Sequence, residues 1–131
     1  MFLDTNIYSA LARGIQSAVD ATSAAHELKL PLPVIAELRY GFLKGSQKDR
    51  NERALQRFLA QPYVEIMMPT LKTTDVYAEL QDYCTRKGKV LSHNDVWIAA
   101  LAYEANELLV TFDKDFSVFS GLFGNRLKLL G

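Results

Sequence analysis

Ser92-His93-Asn94-Asp95-Val96-Trp97-Ile98-Ala99-Ala100-Leu101-Ala102-Tyr103, followed after a short break by Leu108-Leu109-Val110-Thr111-Phe112-Asp113, decides the fold class. In the first stretch Val96, Ala99, Ala100 and Tyr103 recur at helical spacing. Trp97 and Ile98 widen that face until little of the helix is polar, as a buried central helix requires. Ser92, three residues ahead of Asp95, resembles a capping box and sets the start, and the helix runs to about Asn106. The second stretch is a short strand-like run, apolar except for Thr111 up to Asp113, the pattern of a buried strand.

Outward from this pair, short apolar runs alternate with helical spacing. Met1-Phe2-Leu3 reads as a first strand, followed by helix from about Ile7 to Ala12 with a stop at Gly14. A second helical stretch covers about Ile15 to Glu27, and a short strand about Lys29 to Leu32. Pro33 suits the first position of the next helix, because its missing N–H costs nothing there. That helix carries Val34, Glu37, Leu38 and Gly41 and ends near Gly45. Asp49 to Ala60 is amphipathic through Ala54, Leu55, Phe58 and Leu59, and Tyr63 to Met67 alternates as a strand does. Thr70 or Thr73 caps the following helix, which turns Val76, Leu80, Tyr83 and Cys84 inward and stops at Gly88. Leu127 to Leu130 is the last strand. Strands alternating with helices predict a mainly parallel sheet covered on both faces. At 131 residues and 49% apolar composition, with no repeat or linker, residues 1–131 are read as one domain.

Composition excludes several classes. Cys84 stands alone, so neither a disulfide framework nor a cysteine zinc site is available within one chain, and a reducing cytoplasm is the expected setting. Nothing at the N-terminus reads as a signal peptide, and no segment approaches the ~20 apolar residues of a membrane span. Net charge is zero, with 15 basic and 15 acidic residues. The distribution is uneven, because Lys44, Lys48, Arg50, Arg53 and Arg57 cluster in one stretch. Such a patch either holds phosphates beside a cation site or is a solvated helix face paired with Asp49 and Glu52.

Four carboxylates sit where a strand gives way to a helix. Asp4 closes the first strand, Glu37 lies in the helix after Leu30-Pro31-Leu32-Pro33, Asp95 starts the central helix, and Asp113 ends the run at Phe112. Each taken alone is explained as a cap, a first-turn acid or a turn residue. Together they fall at one end of a parallel sheet, where such folds bind ligands. Converged carboxylates cannot all stay ionised unless a cation neutralises them. An oxygen-only donor set points to Mg²⁺ or Mn²⁺ rather than zinc. Asn6 and Thr111 are placed to orient the acids as supporting groups. Asp115 is either a fifth acid at the rim or a cap before Phe116. His93 has no second histidine at metal spacing, and no glycine-rich phosphate loop, serine elbow or Cys–His pair competes with the acids. Phe116, Phe119 and Phe123 serve either a dimer surface or the C-terminal core.

At these residues the sequence resembles the PIN domain, and more narrowly the toxin nuclease of VapBC-type toxin–antitoxin pairs. The matching blocks are Leu3-Asp4-Thr5-Asn6, Ala36-Glu37-Leu38-Arg39-Tyr40-Gly41, Asn94-Asp95-Val96-Trp97-Ile98-Ala99-Ala100 and Val110-Thr111-Phe112-Asp113-Lys114-Asp115-Phe116, in family order across nearly the whole chain. Phe112 and His93 depart from the common pattern without removing an acid. The resemblance implies a three-layer α/β/α sandwich, usually a homodimer, that cleaves single-stranded RNA with Mg²⁺ or Mn²⁺. It implies Asp4, Glu37, Asp95 and Asp113 as the acidic quartet, with Asn6, Thr111 and Asp115 supporting. On that reading Asp4, Asp95 and Asp113 hold the metal, Glu37 binds or orients the attacking water, and Arg39 and Lys44 hold the RNA backbone. It further implies a small DNA-binding antitoxin whose tail lies in an apolar groove and sends a basic residue toward the acids. The rivals are a housekeeping RNA-processing nuclease of the same fold that lacks an antitoxin, and a non-catalytic binding module in which the acids only cap.

Overall fold

The computed structural model describes residues 1–131 as an α/β fold. Its elements are β1 (Phe2–Leu3), α1 (Thr5–Ala12), α2 (Gln16–Thr22), β2 (Leu28–Pro31), α3 (Leu32–Lys44), α4 (Lys48–Leu59), β3 (Val64–Met67), α5 (Leu71–Arg86), α6 (His93–Ala105), β4 (Leu109–Thr111), α7 (Ser120–Phe123) and β5 (Leu127–Leu129). Two 3₁₀ turns, Lys114–Phe119 and Gly124–Arg126, flank α7. The five strands are all parallel in the order β3-β2-β1-β4-β5. The chain winds outward from β1 to β3 and then returns to β4 on the other side of β1. The strand order therefore reverses between β1 and β4, and the connections leave those two strands in opposite directions, opening a crevice at their carboxyl ends.

The core follows the sequence pattern. Phe2, Leu3, Leu30, Leu109 and Val110 are fully buried in the sheet, and α6 buries Val96, Ile98, Ala99, Ala100, Leu101 and Ala102, as expected of a central helix. Asn106 ends α6 in the left-handed conformation (φ 58°), one of the few non-glycine residues that tolerates it. Thr73, buried at the start of α5, donates to Glu104 of α6 (2.8 Å) and pins the two helices together. No helix is long and apolar enough to cross a membrane.

Some boundaries differ from the sequence reading. The second helix ends at Thr22 rather than near Glu27: the chain turns at Ser23 and runs on to β2 at Leu28, with the buried Thr22 hydroxyl donating to the Ala18 carbonyl (2.9 Å) in the last turn. Strand β2 closes at Pro31, so α3 begins at Leu32 and Pro33 is its second residue; the first-turn N–H groups have no intrahelical partner, so proline is tolerated there as well. Phe116, Phe119 and Phe123 belong to the core, in an aromatic cluster with Tyr83 and Tyr103. Phe119 touches both Phe116 and Phe123, with ring centroids 6.3 and 5.9 Å away. Replacing Phe119 by alanine is therefore expected to destabilise the protein by about 3–5 kcal/mol. Denaturant unfolding checks this; an unchanged midpoint would mean that the C-terminal cluster is not core.

Candidate active site

Asp4, at the carboxyl end of β1, is the innermost acid, with only 4% of its surface exposed. It caps α1 by accepting from the Thr5 N–H (2.8 Å). Its other oxygen accepts from the Thr111 hydroxyl (2.6 Å) and from the Asn6 amide (3.3 Å). Thr111 ends β4, and its hydroxyl also accepts from the Asp113 N–H (2.9 Å). The Asn6 carbonyl oxygen accepts from the Phe112 N–H (3.1 Å). Side chains of α1 thus bridge the crevice between β1 and β4 and fix where the chain leaves each strand. Burial pushes the Asp4 carboxyl up; hydrogen bonds from Thr111 and Thr5 offset this, while the charges of Glu37 and Asp113 add to it.

The other three acids arrive from separate elements. Glu37, on α3, accepts from the Thr5 hydroxyl (3.0 Å) and the Asn94 amide (2.9 Å), so α1 and α6 both hold it. Asp95 lies in the first turn of α6, and its N–H donates to the capping Ser92 hydroxyl (3.1 Å). Asp113 follows β4 and accepts from the Asp115 N–H (2.9 Å). All four acids, with Thr5, Asn6, Ser9 and Arg13, line one cleft of about 430 Å³ that contains no apolar side chain. Burial raises the Asp95 carboxyl from 3.8 to about 6; Ser92 opposes the shift, and Asp4, Glu37 and Asp113 reinforce it.

Thr111 and Asn6 belong to the Asp4 network, with the Thr111 side chain buried behind the cleft. Asp115 lies outside it, exposed and paired with Lys89 (2.8 Å). Arg39 forks onto Glu52 (3.1 and 3.0 Å), and Lys44 lies over the Tyr40 ring (5.1 Å); neither lines the cleft. The α4 cations Lys48, Arg50, Arg53 and Arg57 form no ion pair, because Glu52 is engaged by Arg39 and Asp49 pairs with none. His93 turns to Tyr77, with Nδ1 2.6 Å from the hydroxyl. Sequence reasoning missed Thr5, Ser9, Arg13 and Asn94. The signal for the first three is their spacing of four, a polar stripe on a largely apolar helix.

The donors are hard oxygens gathered from four elements, the set that suits Mg²⁺ or Mn²⁺. No three acidic or histidine side chains are already drawn into a closed ligand shell. Asp95 is raised mainly by burial, with the charges of Asp4, Glu37 and Asp113 adding to it. A carboxyl raised on folding favours the native state while protonated, and that advantage is lost as pH rises from about 4 through 6. In chelator, Asp95→Asn should therefore be more stable than the parent at pH 7 by roughly 1 kcal/mol, because solvent at the half-buried carboxyl screens much of the shift. The difference should shrink toward zero near pH 4. Paired urea titrations across that range test it, and a variant less stable at pH 7 would contradict the cost assigned to the ionised, half-buried Asp95.

Residues 1–122 match the PIN domain family. Ribonuclease VapC2 of Rickettsia felis is 38% identical over 78 residues, 60% of this chain and 57% of that protein's length. Ribonuclease VapC5 of Mycobacterium tuberculosis is 26% identical over 91% of this chain and 87% of its own. Among solved structures, VapBC2 from Rickettsia felis bound to a promoter DNA fragment superposes with a TM-score of 0.79 at 29% identity, covering 98% of this chain and 96% of that one. The parallel sheet, the crevice between β1 and β4 and a family match over nearly the whole sequence agree, and the chain belongs to the PIN domain family.

Proposed function

We propose that this chain is a Mg²⁺- or Mn²⁺-dependent endoribonuclease that acts in the cytoplasm as the toxin of a toxin–antitoxin pair. The observation that carries the reading is the single cleft in which Asp4, Glu37, Asp95 and Asp113 converge with no apolar neighbour. The relatives named as ribonucleases and the solved VapBC complex support RNA as the substrate and an antitoxin as the partner. The same reading carries a homodimer, which sedimentation in solution decides.

Asp4, Asp95 and Asp113 would hold the metal. When bound, a divalent ion would neutralise charge on the phosphoryl group and lower the pKa of water, which no neutral side chain here supplies. Asp4 is kept in place by Thr111, Thr5 and Asn6, so its carboxylate is oriented before substrate arrives. Glu37 accepts hydrogen bonds from Thr5 and Asn94, one on each oxygen, and its remaining lone pairs orient the attacking water. His93 is turned to Tyr77 and is not used as a base.

A groove beside the acids favours a partner-controlled toxin over a stand-alone nuclease. Tyr8, Ala12, Leu38, Phe42 and Ala54 form its apolar walls, and it meets the acid cleft at Ser9 and Arg13. An antitoxin tail seated there would lie next to the carboxylates and could pair a basic residue with them.

Cleavage of pooled cellular RNA should require Mg²⁺ or Mn²⁺, stop in chelator, and fall by roughly 100-fold or more in Asp4→Ala. Full activity in chelator or in that variant would sink the assignment. Growth arrest on expression should be relieved by the co-expressed antitoxin. In Ala54→Trp, which fills the groove away from the acids, arrest should persist despite the antitoxin; continued relief would remove the groove from the reading.

A further inference from the structure

The acid cleft contains one cation. Arg13 lines it together with the four carboxylates, yet its guanidinium makes no ion pair or hydrogen bond with any of them. The side chain is exposed and follows the last residue of α1, where Gly14, at φ 69°, turns the chain away. Ser9 lies one turn back toward Asp4 on the same helix, so Asp4, Ser9 and Arg13 mark a line along one wall of the cleft. The eight residues of α1 separate Asp4 from Arg13, a Cα-to-Cα rise of about 13.5 Å at 1.5 Å per residue. The acids and Arg13 thus enter the cleft from points more than two helical turns apart, a spacing that lets them engage successive phosphates of one strand.

The other basic groups do not compete for this role. Arg39 is forked onto Glu52, Lys44 lies over Tyr40, and the unpaired cations of α4 are outside the lining of the cleft. A guanidinium presents a planar fork that matches two non-bridging phosphate oxygens. Among the side chains that line the cleft, four carboxylates and three neutral polar residues, it is the one cation available to an RNA backbone beside the acids.

We propose that Arg13 is a positioning residue whose guanidinium binds a phosphodiester flanking the one that is cut. The proposal rests on the endoribonuclease reading and adds the group that sets the register of the strand. Binding to a flanking phosphate is the same before and during the reaction, so it lowers KM and leaves kcat nearly alone.

The test uses the full chain and a defined single-stranded RNA that the wild type cuts. Arg13→Ala should raise KM about tenfold, the size of one hydrogen bond to a charged group, with kcat within about twofold. Arg13→Lys should recover part of the loss, and Arg86→Ala, which removes an equal charge outside the cleft, should do neither. Replacing each phosphate in turn by a neutral methylphosphonate then locates the partner: at one flanking position the wild type should weaken and Arg13→Ala should not weaken further. The slope of log affinity against log salt should fall by about one in the variant. Equal KM for wild type and Arg13→Ala, or losses that add at every phosphate, would overturn the proposal while leaving the nuclease reading intact. A wild type that neither cuts nor binds any RNA would remove both.

Discussion

Asp4 keeps its carboxylate 4% exposed at the end of β1, held by the Thr111 hydroxyl, the Thr5 N–H and the Asn6 amide. A buried carboxylate is tolerated only if its oxygens are matched by donors. Two of these donors come from α1 and one from the end of β4, so satisfying one side chain also fixes how two elements meet. The network continues from Thr111 to the Asp113 N–H and from Asn6 to the Phe112 N–H, so the acid on β4 is set by the same bonds that satisfy the acid on β1. Thr5 extends the network to Glu37, and Asn94 joins Glu37 to the helix that carries Asp95. The site is therefore one hydrogen-bonded unit assembled at the reversal of strand order.

The two ends of the sheet treat charge differently. At the amino ends of the strands, Glu107 is flanked by the chain's amino terminus and by Lys29, and both contacts hold the Glu107 carboxyl below its ordinary range despite partial burial. At the carboxyl ends four acids face one another across a cleft whose single cation pairs with none of them. A fold selected for stability alone would neutralise this end as it does the other. Unneutralised acids at this end lower stability, the arrangement expected where a functional site takes precedence over stability.

Period and run length made the helices and strands legible, because burial on two faces gives β1 and β4 unbroken apolar runs and gives α6 its nearly all-apolar surface. Asp4 and Asp113 were legible because they follow β1 and β4, neighbouring parallel strands whose carboxyl ends lie on one side; the other two depart from the expected strand-to-helix junction, since Asp95 opens α6 after the loop from α5 and Glu37 lies more than a turn inside α3. Helix α2 is shorter than its periodicity implies because Ser23-Ala24-Ala25-His26-Glu27, which follows its last residue, contains no glycine or proline to mark the stop. Arg39 and Lys44 share α3 with Glu37, but a helix turns residues 37 and 39 to different sides, and in the structure Glu52 and Tyr40 engage the two cations. Arg13 was overlooked for the converse reason: nine residues from Asp4 in sequence, it returns to the same cleft only because α1 runs along it.

The apolar groove and the acid cleft are not separate surfaces, since Ser9 and Arg13 belong to both. Whatever occupies the groove near α1 touches the same guanidinium that faces the cleft. A partner lying there would act on the site in two ways that need no movement of the fold: it would occupy the space beside Arg13, and it would bring its own charge within reach of the acids. The carboxylates proposed to hold a metal ion would serve such a partner equally well, because a basic side chain relieves the same repulsion. Substrate, cation and partner would then compete for one electrostatic deficit, and silencing would follow from the charge arrangement that makes the site useful.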